Sequence, residues 1–224
     1  MEMDITLWME RFVAAVCKAF GSRVCCIGLQ GSRARGEAAE DSDIDVVVIL
    51  DAWRAADWAI YEEILHSLPE RDKVCGFVSG KEELLHWEPS ELFGFYYDTE
   101  PWYGDLEALK ACFDMEDARR AVHMGACGIY HACAHNRLHA KDWTVLRELY
   151  KSAFFILRAA YYCRTGEFVR RRADLLPLLH AEEREILAAG FAETENAELF
   201  ALRSNQLLVW AGGLICGRSG AERG

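Results

Sequence analysis

Basic residues are in short supply. The 224-residue chain holds 25 Lys and Arg against 36 Asp and Glu, a formal net charge of -11. A surface of that sign disfavours nonspecific binding to nucleic acid or to an anionic membrane. The nine cysteines contain no CxxC pair. Cys25 and Cys26 sit side by side in an apolar run, which suits buried thiols better than a disulfide framework. No apolar run is long enough to cross a bilayer. Acids at Glu2, Asp4 and Glu10 argue against a signal peptide. There is no internal repeat and no low-complexity linker. Together these absences point to a reducing cytoplasm.

What is present is ordinary globular material, 52% hydrophobic and 27% charged. It is enough for one large domain or two small ones. Ile5, Trp8, Phe12, Val16 and Ala19 recur at helical spacing, so residues 4–20 read as a helix stopped by Gly21. "RVCCIGL" reads as a buried strand ending at Gly31. "IDVVVIL" reads as a second strand, apolar from Val46 to Leu50 and so covered on both faces. A helix closed by Pro69, a third strand "KVCGFVS" and a short helix before Pro89 follow. The aromatic stretch 90–104 reads as a hinge. Beyond it strand signals vanish, and helices are expected at about 115–138, 142–164, 181–189 and 194–212. The expected division is 1–104, 105–215 and a frayed tail, 216–224.

The chemistry concentrates in "GSRARGEAAEDSDIDVVVI", residues 31–49. Asp43 and Asp45 are two apart at a strand start, so their side chains share a face. Converging carboxylates repel, and a hard divalent cation such as Mg²⁺ resolves that repulsion while accepting substrate phosphates. A solvated strand end is the plainer alternative. Upstream, Gly31-Ser32 follows a buried strand directly. A glycine there permits a sharp turn and close ligand approach, and amides plus the Ser32 hydroxyl could bind phosphate. Arg33 and Arg35 add positive charge. A phosphate turn beside metal ligands suits phosphoryl or nucleotidyl transfer.

This stretch resembles the signature of the polymerase-β-like nucleotidyltransferase superfamily. The order of the two halves is similar to that of its small aminoglycoside-adenylyltransferase-type members, and 157–176 more loosely resembles part of their helical domain. The resemblance implies an α+β fold: a nucleotidyltransferase-fold mixed sheet with helices (1–104), then an all-α helical bundle (105–215). It implies Mg²⁺-dependent transfer of a nucleoside monophosphate, AMP from ATP in the favoured case, to a hydroxyl of a small molecule or protein, releasing pyrophosphate. Asp43 and Asp45 would be catalytic and would hold Mg²⁺. Gly31, Ser32 and Arg33 would hold the nucleotide, ATP or another NTP. Nucleic-acid and membrane partners are not expected, and a homodimer is left open.

Members of that superfamily that catalyse usually place a third carboxylate on a later strand. "KVCGFVS" has no acid, which leaves Glu82, Glu83, Asp98 and Glu100 as candidates. The other reading is a nucleotide-binding or sensor module with a degraded site. Elsewhere, His123, Cys127, His131, His135 and His139 fall at i+4 steps. That stripe drifts about 40° per step, so only neighbouring pairs could share an ion. Arg158, Arg164 and Arg170-Arg171-Arg172 form a basic patch that could bind a triphosphate or simply be a solvated loop. The aromatics Phe93, Phe95, Tyr96, Tyr97, Trp102 and Tyr103 could stack on a ligand or form core between the halves.

Overall fold

The computed structural model describes residues 3–189 and 195–218. They fall into two compact units that divide between Asp114 and Met115. In chain order the first unit contains α1 (Ile5–Phe20), β1 (Val24–Leu29), α2 (Gly31–Ala34), β2 (Ile44–Leu50), α3 (Asp57–Ser67), β3 (Val74–Gly80), α4 (Lys81–Leu85), α5 (Pro89–Asp98) and β4 (Glu100–Gly104). The second contains α6 (Met115–Leu138), α7 (Trp143–Thr165), α8 (Arg172–Leu175), α9 (Ala181–Leu187) and α10 (Ala197–Ile215). The expected α+β first half and helical second half are both present.

The four strands form a mixed sheet in the order β3-β2-β1-β4. β1 pairs antiparallel with β2 and β4, and β2 pairs parallel with β3. Alternation along β2 sends its side chains to two cores. Ile44, Val46, Val48 and Leu50 meet Trp8, Met9, Phe12 and Val16 of α1 and Tyr61 and Ile64 of α3. Val47 and Ile49 meet Cys26, Leu84, Leu92, Leu106 and Leu109 on the other face. Both faces are covered, as the unbroken apolar run implies. Asp45 is the one residue of β2 that is not buried.

Residues 90–104 are not a hinge. Pro89 opens α5 at a position where its missing N–H is not needed, and 100–104 are an edge strand zipped to β1. Pro101 disguises that strand, since proline within a strand is tolerated only at an edge or bulge. Leu106 and Leu109 then bury themselves under the sheet. The first unit therefore runs to Asp114 rather than 104. The aromatics of α5 go with it: Phe93 packs 5.9 Å and Tyr96 5.7 Å from Phe113, all within that unit.

In the second unit α6 packs against both α7 and α10. Ile129, Cys133, Leu146, Tyr150, Leu157, Leu207 and Trp210 make its core. Buried Asn136 pins the α6–α7 turn, donating to the Asp142 carbonyl at 2.8 Å and accepting from its N–H at 2.9 Å. Asp142 then caps α7. α10 starts at Ala197 and continues to Ile215, three residues beyond the expected end. Residues 190–194, and 219–224 of the expected tail, lie outside the described residues.

The loop between β2 and α3 is tied by charge. Arg23 donates to both oxygens of Asp57 at 2.8 and 2.7 Å, and to Asp51 at 3.0 Å. Asp57 is 3% exposed. Hydrogen bonds from Arg23, aided by the Arg54 amide, lower its carboxyl from 3.8 to about 2. A depressed carboxyl stabilises the fold above its unfolded value, and that stabilisation is lost as pH falls through the folded value. Denaturation midpoints followed from pH 5 to pH 2 should fall more steeply in the wild type than in Asp57→Asn. Parallel acid limbs would contradict the assignment.

Candidate active site

The site starts from the exit of β1. Gln30 is extended, Gly31 turns to φ 70°, and one helical turn, α2, follows. A side chain is barred at Gly31 twice over. Its φ is costly for L residues, and a methyl group there would overlap the Asp45 carboxylate. The turn and the second aspartate are thus in direct apposition, though 14 residues separate them. The Gln30 N–H donates to the Asp45 carbonyl at 2.7 Å, which fixes the turn against β2.

Arg33 adds a second clamp. Its Nε donates to the Asp43 carbonyl at 3.0 Å, and its Nη2 to the Ser42 carbonyl at 2.6 Å. The expected role for Arg33 was nucleotide binding. Here its guanidinium holds the backbone that carries Asp43, because those carbonyls have no strand partner before β2 begins. Ser32 lies in the first turn of α2, half-buried, and its carbonyl accepts from Glu37 N–H at 2.8 Å. Gly31, Ser32, Asp43 and Asp45 therefore belong to one locale. Asp43 is exposed and Asp45 half-buried.

Electrostatics at Asp45 are unfavourable for its charge. Burial first, then the negative charges of Asp43 and Asp98, raise its pKa. Arg35 and Arg33 oppose that shift. A carboxylate pushed toward its neutral form beside a second carboxylate is the donor set that a divalent cation would relieve. The two aspartates fit Mg²⁺ as a pair whose remaining ligands would have to come from phosphate and water. Among the described residues no group of three or more His, Cys, Asp or Glu is placed to hold a metal ion.

The four candidate third carboxylates separate cleanly. In the ladder, Asp45 stands beside Cys75, an exposed free thiol. Glu83 lies against Gly80, which pairs with Leu50. That is five rungs from Asp45, or about 16 Å. Glu82 is exposed on the same short helix. Glu100 shares a strand face with Trp102, which packs into the core under α1, whereas Asp45 shares the opposite face with Val47 and Ile49. Only Asp98 reaches the locale. It does so bound to Arg35, at 3.1 and 3.3 Å.

Several of the other sequence candidates are engaged in packing and pairing. Arg158 is 2% exposed and lies over Phe154, Phe155 and Phe168 at 4.7, 4.9 and 5.2 Å. Arg164 pairs with both oxygens of Glu183, and Arg172 donates to the Leu187 carbonyl. These members of the basic patch hold the helical unit together. Along α6 and just past its end, His123 meets Cys127 at 3.8 Å and the rings of His135 and His139 lie 4.7 Å apart, and among the described residues neither contact belongs to a metal-holding group of three or more His, Cys, Asp or Glu. Sequence reasoning offered Asp98 as a candidate acid but missed the helix α5 that brings Asp98 to Arg35 and Thr99 to Gln30. The one available signal was Pro89 followed by Glu91, a helix start.

Comparison with known proteins bears on the fold. Residues 9–95 match the family model described as the nucleotidyltransferase domain. Among solved structures, the spectinomycin adenyltransferase AAD(9) from Enterococcus faecialis, determined with ATP and spectinomycin, is similar in fold. Its TM-score is 0.57 at 13% identity, covering 92% of this chain and 99% of that one. A nucleotidyltransferase-like protein from Exiguobacterium sibiricum 255-15 has a TM-score of 0.40 at 10% identity, covering 94% and 75%. A search of curated proteins finds no match. Residues 9–95 thus match a nucleotidyltransferase domain, and the fold of the chain is similar to that of an adenyltransferase.

Two stability measurements check the packing of the site. Gly31→Ala should destabilise the protein by about 1–3 kcal/mol in denaturant titrations, since it imposes strain in the left-handed region. A wild-type midpoint would contradict the apposition with Asp45. Asp45→Asn should raise the melting temperature at neutral pH without metal or nucleotide. A raised carboxyl pKa means that the ionised form costs stability above that value, and the neutral isostere removes the cost. A lower melting temperature would show that Asp45 is a structural anchor instead.

Proposed function

We propose that this chain transfers AMP from ATP to a hydroxyl of a small molecule, with Mg²⁺, releasing pyrophosphate. The observation that carries the proposal is the apposition of the Gly31 turn to Asp45. A turn suited to phosphate lies against one of a pair of carboxylates suited to a metal, in residues that match a nucleotidyltransferase domain. Asp43 and Asp45 would hold Mg²⁺, which supplies charge neutralisation at the phosphates. The amides of Gly31 and Ser32 and the Ser32 hydroxyl would take the β- and γ-phosphate oxygens. Arg33 would act one step back, keeping Asp43 in place.

The acceptor oxygen forms a bond to the α-phosphorus while the bond from that phosphorus to the bridging oxygen breaks. Pyrophosphate leaves with the bond electrons, and the acceptor proton passes to a base or to solvent. A small-molecule acceptor is favoured by the likeness to a protein solved with ATP and spectinomycin. A net charge of -11 also suits a cationic acceptor better than nucleic acid. Nine free thiols fit a reducing, cytoplasmic setting. Among the described residues no helix is long and apolar enough to cross a membrane.

One observation favours a second reading. Cys75, not an acid, stands in register with Asp45, and Asp98 is engaged by Arg35. A site of that kind could bind Mg-ATP as a sensor without efficient transfer. Pyrophosphate release from ATP and Mg²⁺, measured across a panel of aminoglycosides and lincosamides, separates the two. Transfer predicts acceptor-dependent release that falls at least about a hundredfold in Asp43→Asn and in Asp45→Asn, both folded. Mg-ATP binding with no turnover on any acceptor would establish the sensor reading instead.

A further inference from the structure

The turn proposed to hold the triphosphate is gripped from two sides. On one side is β2, through Gln30 N–H to Asp45 and Arg33 to residues 42 and 43. On the other is the C-terminal end of α5. The Gln30 side-chain amide donates to Thr99 Oγ1 at 2.7 Å and to the Phe95 carbonyl at 3.4 Å. The Arg35 Nη1 donates to both carboxylate oxygens of Asp98, and its Nε to Glu37 at 3.1 Å. The Arg35 and Asp98 side chains are only 8% and 13% exposed.

Asp98 is poorly placed for its own helix. It is the last residue of α5, where a negative charge opposes the helix dipole. A largely buried carboxylate there is costly unless paired. Its partner closes α2: the Arg35 N–H donates to the Gly31 carbonyl at 3.3 Å. The pair therefore connects α5 to the backbone of the turn itself. One guanidinium nitrogen is shared between the two carboxylate oxygens and anchors Asp98 toward the turn, and among the described residues Asp98 joins no group of three or more His, Cys, Asp or Glu placed to hold a metal ion.

We propose that Arg35 and Asp98 are a positioning pair: Asp98 acts through Arg35 to hold the Gly31-Ser32 turn in the shape that receives the triphosphate of a magnesium-bound nucleotide, and is not a metal ligand. This rests on the nucleotide site proposed above. The pair supplies a rigid second wall to a turn that β2 alone would leave free to rock. Preorganisation of this kind appears as affinity, because less ordering remains for the ligand to impose.

Calorimetric titration of Mg-ATP into wild type, Arg35→Gln, Asp98→Asn, the double variant and Asp98→Glu tests this, with circular dichroism and melting curves on each. The dissociation constant should rise about tenfold in each neutralising single variant and no further in the double variant, since all remove one shared tether. Asp98→Glu should recover part of the loss. Melting should behave differently: Arg35→Gln leaves a buried charge and should melt below the double variant. Wild-type affinity in all folded variants would overturn the proposal, leaving the pair merely structural. A loss in Asp98→Asn that vanishes when Mg²⁺ is omitted would make Asp98 a metal ligand, and a loss in Arg35→Gln alone would make Arg35 a direct phosphate ligand. Either result overturns it. If wild type itself fails to bind Mg-ATP, the nucleotide site falls and this inference with it.

Discussion

The close approach of the Asp45 carboxylate to the Gly31 backbone is the constraint on which the first unit is built. A charged group sits at the one unburied position of a strand otherwise enclosed on both faces. It can do so because the opposing residue has no side chain. Everything nearby serves that approach. Gln30 and Arg33 hold the turn and the loop against β2, and α1 and α3 close the core beneath. The resulting locale is unfavourable electrostatically, with burial first and then Asp43 and Asp98 raising the Asp45 pKa. Folding alone gives no reason to gather those charges. A cation and a phosphate chain do.

The second unit uses charge in the opposite way. Two of its arginines are drawn into packing, Arg158 over three aromatic rings and Arg164 against Glu183. Arginine suits this role because its planar guanidinium stacks and forks at once. A run such as Arg170-Arg171-Arg172 looks like an anion site in sequence, yet Arg172 reaches a backbone carbonyl instead. Local density of one charge is a weak guide to function when the surrounding helices offer aromatic faces and helix ends.

Much of the site was legible because its parts are close in sequence and their chemistry is unusual there. A glycine after a buried strand, and two acids two residues apart before another, conflict with simple core formation, and conflicts of that kind mark functional places. The long helices were equally legible through their periodicity. The stretch 89–104 was not. Its aromatics resemble linker packing, and Pro101 hides an edge strand, so both α5 and β4 were missed. The clamp made by Arg33 was out of reach for a different reason: a guanidinium bound to two carbonyls depends on where the chain returns, which no local pattern records. The Arg35–Asp98 pair spans 63 residues and was out of reach for the same reason.

The central claim is that Asp43, Asp45 and the Gly31-Ser32 turn form one metal–nucleotide site. The most direct test is a crystal structure with Mn²⁺ and a non-hydrolysable ATP analogue, read through the anomalous signal of the metal. The account predicts a peak at about 2.0–2.3 Å from carboxylate oxygens of both Asp43 and Asp45, with the β- and γ-phosphates against the amides of Gly31 and Ser32. A nucleotide bound with its metal away from these two carboxylates would contradict it.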